Sequence, residues 1–102
     1  MKKILLCCAA GMSTSLLVSK MKKHAEEMGV PSKIWAISVE NLQESLQEGV
    51  DVVLLGPQIK YKLADVKGIC SKTDIPVDVI NMIDYGMMNG KNVFNFALNL
   101  IK

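Results

Sequence analysis

Two absences limit the class of protein: the chain has no apolar run long enough to cross a bilayer, and it has too few cysteines for a disulfide framework. A membrane-spanning helix needs about 20 mostly apolar residues, and the apolar runs here are far shorter. The three cysteines are an odd number, and Cys7 and Cys8 are adjacent, which is typical of reduced thiols. Polar residues 13–15 interrupt the apolar N-terminal stretch, so we expect no signal peptide and a cytoplasmic protein.

Arginine is also absent, because all twelve basic residues are lysines. The net charge of +2 is too small to indicate a nucleic-acid partner. No acidic residue precedes Glu26, whereas five lysines do: Lys2, Lys3, Lys20, Lys22 and Lys23. The first quarter of the chain therefore has a positive local field that favours an anionic ligand, although these lysines also fit a solvated surface.

The periodicity of apolar residues predicts strands that alternate with helices. The 102 residues suffice for one domain, 1–102, with a modest core. The patterns predict strands at 3–8, 33–37, 51–55 and 76–80, and helices at 13–28, about 38–47, about 59–70 and about 90–101. This alternation predicts an α/β fold, an open four-stranded parallel sheet with right-handed crossovers and helices on both faces.

Three segments follow the ends of predicted strands: residues 8–15, residues 56–58 and residues 81–90. Ligands of open α/β sheets bind outside the carboxyl ends of the strands. We therefore expect these three segments to lie together on one edge of the sheet, called the rim below, and we expect the functional site on the rim.

The segment 8–15 combines a candidate nucleophile with a candidate anion-binding loop. Cys8 ends a strand, the small residues after it allow the backbone to curl around a bound group, and Ser and Thr suit a helix start. A helix start favours a thiolate and a phosphoryl group in front of it. The predicted phosphoryl-binding loop after Cys8 comprises Ala9, Ala10, Gly11, Met12, Ser13, Thr14 and Ser15. The alternative is that Cys8 is a small buried hydrophobe.

The other residues of this region indicate whether a phosphoryl group on Cys8 would be transferred or hydrolysed. Cys7 should point to the opposite side of the strand from Cys8, so we expect a core residue. Cysteine-dependent tyrosine phosphatases have an arginine at the sixth position after the cysteine, where this chain has Thr14. Without arginine the bidentate clamp on the phosphoryl oxygens is missing. The loop is therefore predicted to hold a phosphoryl group and pass it on.

Two motifs carry a resemblance to a known family. Residues 8–21, CAAGMSTSLLVSKM, and residues 51–59, DVVLLGPQI, resemble the IIB subunits of the bacterial sugar phosphotransferase system (PTS). The resemblance is to the lactose/cellobiose/chitobiose branch, above all to its cellobiose and diacetylchitobiose members, and it covers essentially the whole chain. It implies a four-stranded parallel sheet flanked by helices.

The resemblance also implies a reaction and its partners. A phosphorylated IIA protein passes a phosphoryl group from histidine to the IIB cysteine, which passes it to a disaccharide that the membrane IIC permease imports. The family cysteine lies three residues before the loop glycine, which selects Cys8 as the phosphocysteine, and the family's loop corresponds to residues 9–15. Ala9 stands where serine is common, and Cys7 before the site leaves room for redox sensitivity.

We expect the rim around Cys8 to be the partner surface. A carrier that serves two partners in turn needs weak contacts and small interfaces, which predicts a monomer without direct membrane insertion. No metal-ligand cluster is visible in the sequence, and direct transfer needs no metal or other cofactor. Two alternatives stay open: a phosphatase of similar layout, and a redox or regulatory module that uses Cys7 and Cys8, although a disulfide between adjacent cysteines is strained.

Weaker candidates lie elsewhere on the rim. Gln58 is a candidate to contact the phosphoryl group or a partner, and a loop-stabilising or helix-capping role is the alternative. Met12, Met87 and Met88 are candidates for an adaptable apolar contact surface, with core packing as the alternative.

For three further side chains we expect structural roles. Tyr61 and Tyr85 could line a partner surface, but we expect half-buried tyrosines. For His24 we expect a surface residue or a core residue with satisfied hydrogen bonds.

Overall fold

A computed structural model describes residues 1–8 and 14–101, apart from the side chain of Lys72. The strands and helices in chain order are β1 (Lys2–Cys8), α1 (Thr14–Glu27), β2 (Ser32–Ser38), α2 (Leu42–Leu46), β3 (Val52–Leu55), α3 (Leu63–Cys70), β4 (Val77–Val79), α4 (Met82–Gly86) and α5 (Gly90–Leu100). Short 3₁₀ segments lie at Val39–Asn41, Pro57–Lys62 and Ser71–Thr73. The predicted strands and long helices are confirmed, with bounds that differ by one or two residues for most elements.

The four strands form one parallel sheet in the order β2-β1-β3-β4. Cys8 pairs with Ser38 of β2, Cys7 pairs with Leu55 of β3, and Leu55 pairs with Val79 of β4. Because the strands are parallel, their carboxyl ends lie together at the rim. This arrangement confirms the predicted α/β fold class.

The two faces of the sheet are covered by different helices. Ile4 and Leu6 of β1 pack in one core with α1 and α5, whereas Leu5 and Cys7 pack in a second core with α2 and α3. All four side chains are inaccessible to solvent. Burial of one aliphatic side chain contributes roughly 1.5–3 kcal/mol, so the apolar residues 4–7 of the central strand stabilise both layers. The prediction that Cys7 is a core residue is confirmed.

Close contact between α1 and α5 depends on a glycine. A Cβ atom on Gly90, the first residue of α5, would lie 2.6 Å from the carbonyl carbon of Lys20 and 2.7 Å from the backbone nitrogen of Met21. Real side chains do not approach backbone atoms this closely. Glycine therefore sets the distance between the two helices that cover one face of the sheet.

The segment after β3 differs from the continuous helix predicted from Ile59. A 3₁₀ segment, Pro57–Lys62, comes first, and α3 begins only at Leu63. Within that segment Ile59 has non-helical angles (φ −117°, ψ 27°), and its N–H donates to the Gly56 carbonyl three residues earlier. A tight first turn follows the proline, and Ile59 is buried beneath it. This turn delays the start of the α-helix from Ile59 to Leu63.

A short helix that the sequence analysis did not predict, α4, follows β4. The side-chain oxygen of Asn81 accepts hydrogen bonds from the backbone N–H groups of Ile83 (2.8 Å) and Asp84 (3.3 Å). An asparagine followed three positions later by a carboxylate resembles the pattern of a capped helix start. That signal was present in the sequence, and the helix was missed because it has only five residues.

Candidate functional site

Cys8 is the last residue of β1, at the centre of the rim. Its side chain is only 3% exposed, and its thiol lies 3.8 Å from the carbonyl oxygen of Ile37, to which it donates a weak hydrogen bond. Strand alternation turns it away from the core that holds Cys7. The Ile37 carbonyl of β2 therefore holds the Cys8 sulfur in place, and the cysteine is almost inaccessible to solvent.

The two other cysteines have unfavourable surroundings for a thiolate. Burial raises the pKa of Cys7 to about 12, and the nearby Cys70 and Cys8 add to the shift. Burial also raises the pKa of Cys70, which lies at the end of α3. Both groups are neutral thiols at pH 7, so neither has the character of a nucleophile.

The amino end of α1 lies beyond Cys8 on the same side of the sheet as α5. Its first residue, Thr14, is 1% exposed, and its Oγ1 atom lies 3.1 Å from the hydroxyl oxygen of Tyr85. The carbonyl of Ser15 accepts a hydrogen bond from the Ser19 hydroxyl at 3.2 Å. A helix of 14 residues carries a partial positive charge at this end, which favours an anion in front of it.

Only part of the predicted phosphoryl-binding loop can be located. Thr14 and Ser15 begin α1 as the sequence predicts. The other five residues of that loop lie outside the described residues: Ala9, Ala10, Gly11, Met12 and Ser13.

The segment after β3 brings Gly56 to the side of Cys8, with Gln58 next to that glycine. The N–H of Gly56 donates to the Cys7 carbonyl at 2.9 Å, which ties the end of β3 to the end of β1. A Cβ atom on Gly56 would lie 2.7 Å from Oε1 of Gln58 and 3.7 Å from Cβ of Cys8. The exposed Gln58 side chain thus folds back over Gly56, and a larger residue at position 56 would displace it.

The outer surface of α4 is apolar. Met82, Ile83 and Met87 are 67%, 69% and 71% exposed, and they follow the carboxyl end of β4 on the rim. Of these residues only Met87 was predicted from the sequence to lie on a contact surface, because no helix was predicted there. Met88 is half-buried against the core between the sheet, α1 and α5.

The two tyrosines depart from the expectation that both are half-buried. Tyr61 is exposed, with the Lys62 ammonium 6.0 Å from its ring centre. Tyr85 is buried, and its hydroxyl meets that of Thr14. The first reaches solvent because the 3₁₀ segment turns it outward, whereas the second fills the core beneath α4.

His24 lies about 15 Å along α1 from its start and takes no part in the rim. Its ring stands edge-on to Phe94, with ring centres 5.6 Å apart. Its Nε2 atom is buried and, within residues 1–8 and 14–101, has no hydrogen-bond partner. The expectation of a surface residue or a satisfied core histidine is therefore wrong, because the ring is half-buried and its Nε2 has no partner among those residues.

Two other features, a metal site and a membrane-spanning helix, are absent from the described residues. In the part of the chain that the structure describes, no three His, Cys, Asp or Glu side chains are grouped so as to hold a metal ion. Over the same residues, none of the helices has the length and apolar character that crossing a membrane requires.

Comparisons with known proteins agree on one family. The family described as "PTS system, Lactose/Cellobiose specific IIB subunit" matches residues 3–96. The chain is 43% identical over 101 residues to the oligo-beta-mannoside-specific EIIB component of Bacillus subtilis, covering 99% of this chain and 97% of that one. It is 46% identical over 104 residues to the galactose-specific EIIB component of Lactococcus lactis, covering 98% and 96%.

A solved structure supports the same relationship. The cellobiose-specific IIB component from Borrelia burgdorferi is 41% identical in sequence. The two structures superpose with a TM-score of 0.80, covering 98% of this chain and 91% of the other.

Proposed function

The chain belongs to the lactose/cellobiose-specific IIB family of the phosphotransferase system, whose members transfer phosphoryl groups to sugar, and we propose that it is a phosphocarrier with Cys8 as its phosphocysteine. Cys8 receives the group from a phosphohistidine of a IIA protein. It then passes the group to a β-linked disaccharide of the cellobiose or chitobiose type that a membrane IIC permease imports. The protein acts in the cytoplasm.

The observation that carries this proposal is the position of Cys8 at the end of the central strand. The α1 helix begins six residues later, and Gly56 approaches the cysteine from the end of β3. Cys7 lies in the opposite core with a pKa of about 12 and is a poor alternative. Of the three cysteines, Cys8 alone adjoins both a helix start and the rim.

The transfer consists of two displacements at phosphorus. The Cys8 thiolate attacks the phosphorus atom, so that a P–S bond forms while the P–N bond to histidine breaks. A sugar hydroxyl then attacks the same atom, the P–S bond breaks, the thiolate is released and the hydroxyl proton passes to water. Neither step changes an oxidation state, and a thiolate needs no general base.

The residues around Cys8 supply the groups that a phosphoryl ligand requires. Residues 9–15 form the phosphoryl-binding loop, and the amino end of α1 faces the negative charge. In this proposal the Gln58 side-chain amide donates a hydrogen bond to a phosphoryl oxygen. Hydrogen bonds to such an anion are charge-assisted and are stronger than neutral ones.

The apolar residues of α4 suit the partner surface. Met82, Ile83 and Met87 lie on the same rim as Cys8, and flexible methionine side chains adapt to more than one partner. IIA and IIC must use the rim in turn, so each interface is small and the carrier is a monomer. Because Cys8 is nearly covered, docking must also expose its sulfur.

The experiment is a matched pair of cysteine variants assayed for sugar phosphorylation with phosphorylated IIA and IIC. Cys8→Ser should abolish the activity, whereas Cys7→Ser should keep most of it. Cellobiose, chitobiose and lactose are compared as acceptors, because the relatives act on different sugars. Undiminished activity of Cys8→Ser would refute the proposal.

A further inference from the structure

Two buried hydroxyl groups from distant parts of the chain meet beside the candidate site. The Tyr85 hydroxyl and the Thr14 Oγ1 atom are 3.1 Å apart, although the residues are 71 positions apart in sequence. Tyr85 is 6% exposed and Thr14 is 1% exposed. A buried hydroxyl is costly unless it has a hydrogen-bond partner, so this contact is favourable for both groups.

The local structure around α4 fixes where the Tyr85 hydroxyl lies. Asn81 caps the start of α4, and the Asp84 carboxylate accepts a hydrogen bond from the Asn92 side chain of α5 at 3.1 Å. The Tyr85 ring packs in the core shared by the sheet, α1 and α5. A phenylalanine would fill the same space, so core packing alone does not require the hydroxyl.

The hydroxyl of Tyr85 reaches the first residue of α1. Residues 9–13 connect Cys8 to this helix, so the position of Thr14 sets where the positive end of α1 stands relative to the cysteine. Groups that bind a reacting phosphoryl group must be held within about 0.5 Å of their working geometry. A hydrogen bond at Thr14 is therefore placed to control transfer.

This inference rests on the proposed function of Cys8: we propose that Tyr85 is a positioning residue, whose hydroxyl holds the amino end of α1 through Thr14 so that it faces the phosphoryl group on Cys8. Tyr85 touches neither the phosphoryl group nor the donor histidine in this arrangement. Its effect on transfer passes through Thr14. The apolar outer surface of α4 gives the same helix a second role in docking, which the hydroxyl does not affect.

A purely structural role makes a different prediction. Removal of one hydroxyl takes this partner away from the other, which lowers stability, whereas removal of both restores an apolar contact and much of the stability. If the pair only stabilises the fold, the double variant also recovers its activity. If the pair positions α1, the double variant recovers stability and stays slow.

The experiment compares wild type, Tyr85→Phe, Thr14→Val, the double variant, Thr14→Ser and the remote control Thr73→Val. Thr73 donates to the Cys70 carbonyl just before β4, at the opposite end of the sheet from the rim. Two quantities are measured: the thermal unfolding midpoint, and the single-turnover rate of phosphoryl transfer from phosphorylated IIA to Cys8.

We expect Tyr85→Phe and Thr14→Val each to slow transfer about tenfold, in line with the sensitivity of catalysis to small displacements. The double variant should be no slower than the slower single variant, since both changes break one contact. The unfolding midpoint of the double variant should return toward that of wild type, whereas its rate of phosphoryl transfer should stay low. Thr14→Ser should restore most of the rate lost in Thr14→Val, and Thr73→Val should transfer at the wild-type rate.

Two results overturn the inference, and they are distinguishable. Wild-type transfer rates in Tyr85→Phe, or a double variant that recovers rate together with stability, leave Tyr85 a structural residue while Cys8 stands as the carrier. Failure of the wild-type protein to take a phosphoryl group on Cys8 removes the proposed function and this inference with it.

Discussion

Cys7 and Cys8 are consecutive residues of β1, yet they belong to different regions of the molecule. Cys7 lies in the interior between the sheet, α2 and α3, where burial raises the pKa of its thiol to about 12. Cys8 lies on the rim, beside Gly56 and the Ile37 carbonyl. A one-residue step along a strand therefore separates an inert thiol from the candidate nucleophile. Substitutions in the interior should change stability, and substitutions on the rim should change transfer.

The largest expected effect concerns the interior thiol at high pH. The pKa of Cys7 is about 12 in the folded protein and 9.0 for an unperturbed thiol, so the folded state holds its proton more tightly. This contribution to stability is complete below pH 9 and is lost as the pH rises toward 12, at up to about 1.4 kcal/mol per pH unit. Denaturant unfolding of wild type and Cys7→Ala from pH 8 to 11 measures it.

The difference in free energy of unfolding between these two proteins should narrow steadily above pH 9. The difference between wild type and Cys70→Ala should change in the same direction, because burial also raises the pKa of the Cys70 thiol. A difference between wild type and Cys7→Ala that stays constant with pH would contradict the interior assignment of Cys7.

The next effect compares a closely packed glycine on one face of the sheet, Gly90, with an open glycine on the other face, Gly68. Gly90→Ala should destabilise the protein by about 2–3 kcal/mol, because the new methyl group meets the backbone of α1. Gly68→Ala, in α3, is the control, since a Cβ there has no neighbour within 4 Å. That control should stabilise by up to about 1 kcal/mol through helix propensity. Equal unfolding midpoints for the two variants would show that α1 and α5 are not in close contact.

On the rim, Gln58→Ala should reduce transfer about tenfold without lowering the unfolding midpoint. Loss of one hydrogen bond to a charged group costs about 1.5 kcal/mol, which corresponds to roughly a factor of ten. The rate of transfer from phosphorylated IIA to Cys8 measures this effect, with Gln43→Ala as an exposed control on α2. An unchanged rate would leave Gln58 with its alternative role in stabilising the loop.

The smallest expected effect concerns docking on α4. Met87→Ser should raise the KM for phosphorylated IIA by about threefold and leave kcat unchanged, because an exposed apolar contact contributes to binding and not to the displacement. Met28→Ser, an exposed methionine just beyond α1, is the matched control. If both variants had the same KM, α4 would lie outside the partner surface.

The sequence predicted the interior better than the rim, for physical reasons. Apolar periodicity reports burial, so β1, α1 and β3 could be assigned, and alternation alone placed Cys7 in the core. The short helix α4 has too few residues to show a period, although the Asn81 cap signalled its start. The loop from Gly56 to Gln58 was correctly placed on the rim because it follows an unmistakable apolar strand.

Contacts between distant residues could not be predicted. Nothing in the chain signals that the Tyr85 hydroxyl meets Thr14, since that contact depends on how α4 and α1 pack together. The same holds for His24, whose buried Nε2 results from its packing against Phe94. The sequence could predict reactive residues that lie in one continuous segment, such as Cys8 and the loop after it. It could not predict the distant residues that contact this segment in the fold.

The most direct test of the account is to locate the phosphoryl group after the protein reacts with phosphorylated IIA. The protein and its Cys7→Ser variant are digested under conditions that preserve phosphocysteine, and fragmentation mass spectrometry identifies the modified residue. The account predicts one added phosphoryl group on Cys8 in both proteins. A phosphoryl group on Cys7, Cys70 or His24, or its absence from Cys8, would contradict it.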